Sequence, residues 1–269
     1  MAYEAFKEAE IVGWNARAQA YNDFTGQVTT QAIPTLLAMA ETAPWKQVLD
    51  LCCGTGRAAG AAVALGAFAE GIDVSAAMVD AAREAFPNAA FDVGDAESIP
   101  REDDKYDAVI CSFGLMHVGN PEAMFSEIAR VLKPGGRVAL SHWIGPPESP
   151  LFRIVFGTMQ QMADMSVVPL SPPPFALSSE EAMREALEQA GFENVSAHRL
   201  PLAFIAPAGK FAEHFRNFAA RAAVILDQQT DSVLEKIYAS WNTKLEEYLV
   251  DGRYRVPMPA LAVSAVRRG

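Results

Sequence analysis

Cysteine is scarce in this chain: three residues in 269, Cys52, Cys53 and Cys111. They form no CxxC pair, and sequence neighbours rarely close an unstrained disulfide, so no disulfide framework is expected. Few cysteines and no framework suit a reducing compartment. Basic residues are also short, 22 against 33 acids for a net charge of −11, with no lysine-arginine block. An acidic surface repels phosphate backbones, so nucleic acid is excluded as the expected partner. Long apolar runs are missing as well. No stretch approaches the roughly 20 residues of a membrane span, so no membrane partner is expected. The opening "MAYEAFKEAEIVGW" is acidic and broken by polar residues, unlike a signal peptide. The expected location is cytoplasmic. No repeat, low-complexity tract or clear linker divides residues 1–269, which read as one domain.

What is present is alternation. Apolar and aromatic points at near-helical spacing predict a helix over 3–23, with a second from about 30 to 40. Strands are then predicted at 47–53, 67–75, 89–96, 106–113 and 137–143. Helices fall between them at 56–66, 75–86 and 121–133. Such alternation implies parallel strands joined by right-handed crossovers, an α/β doubly wound sheet. The pattern loosens over 146–176, which holds seven prolines. Ser178 and Glu181 suggest a capping box for a helix over 179–190. "NVSAHRLPLAFIA" reads as a strand, 209–227 and 230–250 as helices, and "VPMPALAVSAVRRG" as a closing strand.

The stretch "VLDLCCGTGRAAG" (48–60) runs from a buried strand into a glycine turn and a helix start. Glycine lets a ligand approach the backbone, and exposed helix amides favour an anion. Gly54, Gly56 and Ala59 satisfy the dinucleotide fingerprint, with Asp73 at the end of the next strand, so an NAD(P)-dependent oxidoreductase is one reading. Asp50 argues against it. An acid two residues before "CCGTG" would repel a pyrophosphate and attract an ammonium group. A zwitterionic amino acid carried on a ribose fits better: S-adenosylmethionine, with its amine toward Asp50, its carboxylate toward the loop amides and its ribose diol toward Asp73. No Tyr-x-x-x-Lys pair supports the oxidoreductase.

On "VLDLCCGTG" (48–56), "GIDVS" (71–75), "GDAESIP" (94–100), "YDAVICSFGLMHV" (106–118) and "IARVLKPGGRVALSHW" (128–143), the chain resembles the class I S-adenosylmethionine-dependent methyltransferases, in the small-molecule branch with the quinone-biosynthesis C-methyltransferases. The resemblance covers about residues 44–145, and "YRVPMPALAVSAVRR" is similar to that branch's last strand. It implies a Rossmann-like, seven-stranded, mostly parallel sheet with helices on both faces and helical cap insertions. The sheet core would comprise about 44–145, 190–206 and 253–268, and the cap 1–30, 146–178 and 207–250.

The resemblance also implies roles. Asp50, Cys52, Gly54 and Gly56 would line the methionine moiety, with Tyr21 closing over it. Asp73 would bind the ribose. Val74 and Met78 would flank the adenine, Asp95 would take its amino group and Ala96 would offer a backbone amide. Ser112 and Phe113 would sit beside the sulfonium. Cys52 departs from the wider class, which has glycine there. The segment "CSFGLMH" has neither the Asn/Asp-Pro-Pro-Tyr/Phe box of amide and base N-methyltransferases nor the acid of metal-dependent O-methyltransferases, so the expected enzyme is metal-free. It would methylate a small hydrophobic or aromatic molecule at an O, N or C atom. His117 is expected either as a general base or as a residue that shapes the pocket, and His142 is a weaker candidate of the same kind. Phe152, Phe156, Met159 and Met162 are either core or cap an acceptor pocket. A homodimer is left open. The remaining alternative is a catalytically inactive ligand-binding protein on the same fold.

Overall fold

The computed structural model describes residues 3–146 and 148–269. Met1, Ala2 and Pro147, which the expected cap segments 1–30 and 146–178 include, lie outside the described residues.

In chain order the N-terminal helices are α1 (Glu4–Arg17), α2 (Thr25–Thr29) and α3 (Ile33–Met39). Then follow β1 (Gln47–Leu51), α4 (Arg57–Ala64), β2 (Phe68–Asp73), α5 (Ala76–Ala85), β3 (Ala90–Val93), β4 (Tyr106–Ser112), α6 (Pro121–Val131) and β5 (Leu132–Trp143). Beyond them come α7 (Pro150–Met162), α8 (Glu180–Gln189), β6 (Phe192–Leu200), β7 (Ala203–Pro207), α9 (Phe211–Phe218), α10 (Ala220–Asp227), α11 (Asp231–Leu245), β8 (Leu249–Val250), β9 (Arg253–Pro257) and β10 (Ala260–Arg267).

Seven strands form one sheet in the order β3-β2-β1-β4-β5-β10-β6. β1 to β5 pair in parallel, and β10 runs antiparallel to both β5 and β6. The order reverses on either side of β1, which makes the β1/β4 strand ends the usual ligand crevice of an open α/β sheet. Two-residue periodicity sorts the side chains. Val48, Ala108, Ile110 and Ala139 enter one apolar cluster with α3 and α4, while Leu49, Leu51, Val109, Cys111, Val138 and Leu140 enter another with α6 and α8. The fold therefore carries helices on both faces, as expected.

Several expected boundaries are corrected. The helix predicted over 3–23 stops at Arg17, and Tyr21–Asp23 forms a separate 3₁₀ turn. The helix predicted over 209–227 breaks at Ala219 (φ −114°, ψ 96°), where the Thr25 hydroxyl donates to the Phe218 carbonyl at 2.9 Å. Its apolar stripe, Phe211, Phe215, Phe218, Ala222 and Ile225, stays buried across the break. Leu249, expected on the last helix, lies in β8 and is exposed. The cap of α8 is Ser179, whose side chain accepts from the Ala182 amide, rather than Ser178. The stretches 190–206 and 253–268 do not form one strand each. β7 and β9 leave the main sheet and join β8 in a three-stranded antiparallel sheet. Pro201 and Pro259 stand at the two corners; proline offers no amide to a ladder and ends the pairing there. Among the described residues no helix is long and apolar enough to cross a membrane.

Candidate active site

The site is assembled where β1, β2, β4 and β5 end. Asp50 points to the α4 side of β1 and is 1% exposed, its Oδ2 accepting from the Ala59 amide at 2.9 Å. Burial pushes its carboxyl up to about 7, opposed by that amide and reinforced by the charge of Asp73. Asp73 accepts from the Gly54 amide through Oδ2 at 2.8 Å and from the Ser75 amide through Oδ1 at 2.9 Å. Burial raises its carboxyl too, against those same amides. The Gly54 amide is therefore committed to Asp73, and the Gly56 amide to the Cys53 carbonyl. Gly56 has φ +77°, and a Cβ there would sit 2.7 Å from the Phe91 ring and 2.9 Å from Ala82. Only glycine lets the turn lie this close to β3 and α5.

Two non-glycine residues at the site also adopt left-handed backbone, Cys52 (φ +56°) and Phe113 (φ +57°). Such conformations are costly and persist where surroundings enforce them, commonly at ligand clamps. A left-handed φ suits glycine, in keeping with the glycine that the resemblance implies at the Cys52 position. The neighbouring Cys111 thiol, with burial, pushes the Cys52 thiol well up, so it packs rather than ionises.

The N-terminal segment crosses this rim from above. Lys7 reaches Asp95 at 2.5 Å and Glu97 at 3.1 Å. Asn15 accepts from the Ser75 hydroxyl at 2.7 Å, next to Met78, whose amide bonds the same hydroxyl. Glu10 meets His117 at 2.7 Å. The Tyr21 ring and hydroxyl lie 3.8–4.0 Å from where a Gly54 Cβ would stand. The hydroxyl pairs with Thr29, and burial pushes it up to about 12. Asn22 receives both the Thr55 hydroxyl (3.0 Å) and Arg57 Nε (2.8 Å). Tyr21, Asp50, Cys52, Arg57 and Ser112 thereby enclose a cavity of about 20 Å³, room for roughly one water. Among the described residues Ser112 Oγ is a buried hydroxyl oxygen without a partner.

Of the residues nominated from sequence, Tyr21, Asp50, Cys52 and Ser112 line that cavity; Asp73, Gly54 and Gly56 belong to the turn beneath it without lining it. Val74 is half-buried after β2, Met78 is buried in α5, and Ala96 is buried beside Asp95, which holds Lys7 and the Glu97 amide. Phe113 stacks on Trp143 at 3.8 Å, and Phe152 and Phe218 meet Trp143 edge-on. Phe152 and Met159 are core residues of the cap, while Met162 is exposed. His142 is buried, bonded through Nδ1 to the Trp143 carbonyl, and burial pushes its imidazole down to about 4, so it is neutral and a poor proton acceptor near pH 7. Arg57, Asn22 and Glu10 were not legible beforehand. Arg57 had one signal, its place as first residue of the helix that follows the glycine turn. A larger groove of about 460 Å³ lies among α1, α9, α10 and α11 around Arg17, Arg216 and Asp227, and none of the nominated residues lines it.

Comparison with known proteins bears on the family and the fold. A family described as "Methyltransferase domain" matches residues 48–136. A demethylmenaquinone methyltransferase of Clavibacter sepedonicus is 32% identical over 200 residues, 67% of this chain and 81% of that protein. Further relatives of that name are matched over 51–59% of their length. The Bacillus protein YcgJ superposes with a TM-score of 0.59 at 19% identity, over 89% of this chain and 99% of that one. Phosphoethanolamine N-methyltransferase 2 of Haemonchus contortus, solved in complex with S-adenosyl-L-methionine, has a TM-score of 0.55 at 21% identity, over 89% of this chain and 53% of that one.

Proposed function

The chain belongs to the class I S-adenosylmethionine-dependent methyltransferases and resembles their quinone C-methyltransferases, and from that premise we propose how its residues divide the work of methylating a small molecule. The observation that carries the reading is one cavity that gathers a buried acid, Asp50, an arginine, Arg57, and an unpartnered buried hydroxyl, Ser112. Opposite charges in one small space suit an amino acid zwitterion and do not suit a pyrophosphate. Asp50, whose carboxyl burial raises to about 7, gives up its proton to take the ammonium group, because an adjacent positive charge favours the carboxylate. Arg57 takes the carboxylate, a role the Gly54 and Gly56 amides cannot fill because they are already engaged. Asp73 keeps lone pairs for the ribose diol. Val74 and Met78 flank the adenine, with Asp95 and Ala96 at its edge. Ser112 and Phe113 sit nearest the sulfonium.

When bound, S-adenosylmethionine supplies a methyl carbon on a positively charged sulfur, already an excellent leaving group. The protein's own contribution is alignment and exclusion of water. Tyr21, Thr29, Thr30 and Ile33 close the cavity to about one water, so the N-terminal segment that carries them must lift for the cofactor to enter and settle again over it. Phe113, Trp143, Phe152 and Phe218 offer an aromatic flank for the acceptor. A hydrophobic aromatic acceptor follows, and demethylmenaquinol is the first to try, because relatives of this chain are named for that quinone. No metal is needed, and the site of action is the cytoplasm.

The test is transfer of labelled methyl from S-adenosylmethionine to demethylmenaquinol and a panel of small phenols and amines, with and without EDTA. Transfer that survives EDTA is expected. Restoration of lost transfer by Mg²⁺ alone contradicts the metal-free mechanism. S-adenosylhomocysteine binding without transfer to any acceptor favours the inactive ligand-binding reading, and NAD binding in its place favours the oxidoreductase.

A further inference from the structure

Glu10 is one of two carboxylate residues buried below a tenth exposure among the described residues; Asp50 is the other. Nothing in cofactor binding uses it. It lies on α1, 6% exposed, and its Oε2 accepts from Trp14 Nε1 at 3.1 Å and meets His117 Nδ1 at 2.7 Å. Trp14 stands edge-on to the His117 ring, centroids 5.1 Å apart at 88°. His117 closes the 3₁₀ turn that follows β4, where the resemblance puts the transferred methyl, and its side chain is 32% exposed. The charged and titratable groups around the pair are Arg17 and Arg221 near Glu10, and Asp73 and His142 near His117.

A carboxylate on Nδ1 fixes the tautomer. Nδ1 carries the hydrogen and donates it to Glu10, which leaves Nε2 with its lone pair and no partner within the dyad. The Trp14 edge holds the ring plane. Accordingly we propose that Glu10 is a positioning residue that turns His117 into the base for the acceptor, and that the acceptor is a molecule that must give up a proton, such as a hydroxyl on an electron-rich aromatic ring. The inference rests on the methyltransferase reading and gives it a substrate class. The acceptor's O–H proton passes to Nε2. The electron pair released, at oxygen or through the ring at carbon, forms the new bond to the methyl carbon as the carbon–sulfur bond breaks with its pair onto sulfur. The imidazolium is left beside the Glu10 carboxylate; in C-methylation the ring carbon then sheds its own proton to solvent. Because Glu10 belongs to the segment that roofs the cofactor cavity, the base is assembled only when α1 is down.

The test combines ¹⁵N NMR of the imidazole with a double-mutant cycle, both on the full chain with S-adenosylhomocysteine or S-adenosylmethionine as stated. In the S-adenosylhomocysteine complex the wild-type His117 should be the Nδ1–H tautomer, and Glu10→Ala should shift it toward Nε2–H. With a soluble 1,4-naphthoquinol as acceptor, Glu10→Gln should lower kcat by about tenfold or more and leave KM within about twofold. It should have no further effect when His117 is already alanine. S-adenosylhomocysteine affinity by calorimetry should stay within about twofold in Glu10→Gln, because the amide oxygen still accepts from both donors. An unchanged tautomer in Glu10→Ala, or additive losses in the cycle, overturns the proposal. A naphthoquinol left unmethylated by every variant counts against the acceptor reading alone, because the tautomer still reports on the dyad.

Discussion

The floor and the roof of the cavity at the ends of β1 and β4 are held by different physics. The floor is made of backbone: Asp50 on the Ala59 amide, Asp73 on the Gly54 and Ser75 amides, and Gly56 wedged under Phe91. The hydrogen-bonded partners there lie 2 to 19 positions apart. The roof is made of side chains from α1 and the turn after it, Lys7, Glu10, Asn15 and Tyr21, each reaching a residue far away in the chain. These contacts are part-buried and few, and they tie α1 to the rim through side chains alone. On the proposed function this is a division of labour: a preorganised floor to recognise the cofactor, and a roof to open and close over it.

The contrast is broken most severely at Gly56. Gly56→Ala should destabilise the fold by about 2–4 kcal/mol, from left-handed strain plus overpacking against Phe91 and Ala82. Gly135→Ala makes the control, since its φ is also +77° but nothing lies within 4 Å of its Cβ. Urea denaturation should find a clearly smaller loss there, and equal losses would mean the floor is not tightly packed.

Next in size is recognition. Asp73→Ala should weaken S-adenosylhomocysteine binding by about 10- to 100-fold, the loss of charge-assisted hydrogen bonds to the ribose. Unchanged affinity by calorimetry would remove Asp73 from the site.

A smaller effect concerns pH. The Asp50 carboxyl rises from 3.8 in the unfolded chain to about 7 in the fold. Between those values the native state holds a proton that the unfolded state has released, so this contribution to stability is full below about pH 4 and is lost as pH rises through about 7. Asp50→Asn, which cannot titrate, should gain on wild type in unfolding free energy as pH goes from 4.5 to 7.5. Parallel curves would show that Asp50 does not titrate in that window.

The smallest effect belongs to the roof. Lys7→Ala breaks the Asp95 and Glu97 pairs and should cost under about 1 kcal/mol globally. It should nevertheless speed proteolytic cleavage between residues 4 and 30 several-fold. A large global loss with no change in local cleavage would make α1 part of the core rather than a roof.

The same division governs what the sequence made legible. Strand–helix alternation and the glycine turn are local signals, so the sheet from β1 to β5 and the floor residues Asp50, Gly54, Gly56 and Asp73 could be read in order. The roof could not. Glu10 meets His117 across 107 positions and Lys7 meets Asp95 across 88, and no periodicity encodes such pairs. Arg57 stands within a legible motif, but in sequence the loop amides already suffice for a carboxylate, so nothing singles it out. The split of the last strands between two sheets was hidden by continuous apolar patterning through Pro201 and Pro259, and the break at Ala219 depends on a hydroxyl, that of Thr25, far away in the chain.

Hydrogen exchange by mass spectrometry, with and without saturating S-adenosylhomocysteine, tests most directly whether floor and roof close over one ligand. The predicted result is joint protection of the glycine turn (52–60) and of α1 with the Tyr21 turn (4–23), with little change in α8 and β6 on the far side of the sheet. Protection of the glycine turn with unaltered exchange over 4–23 would contradict the account.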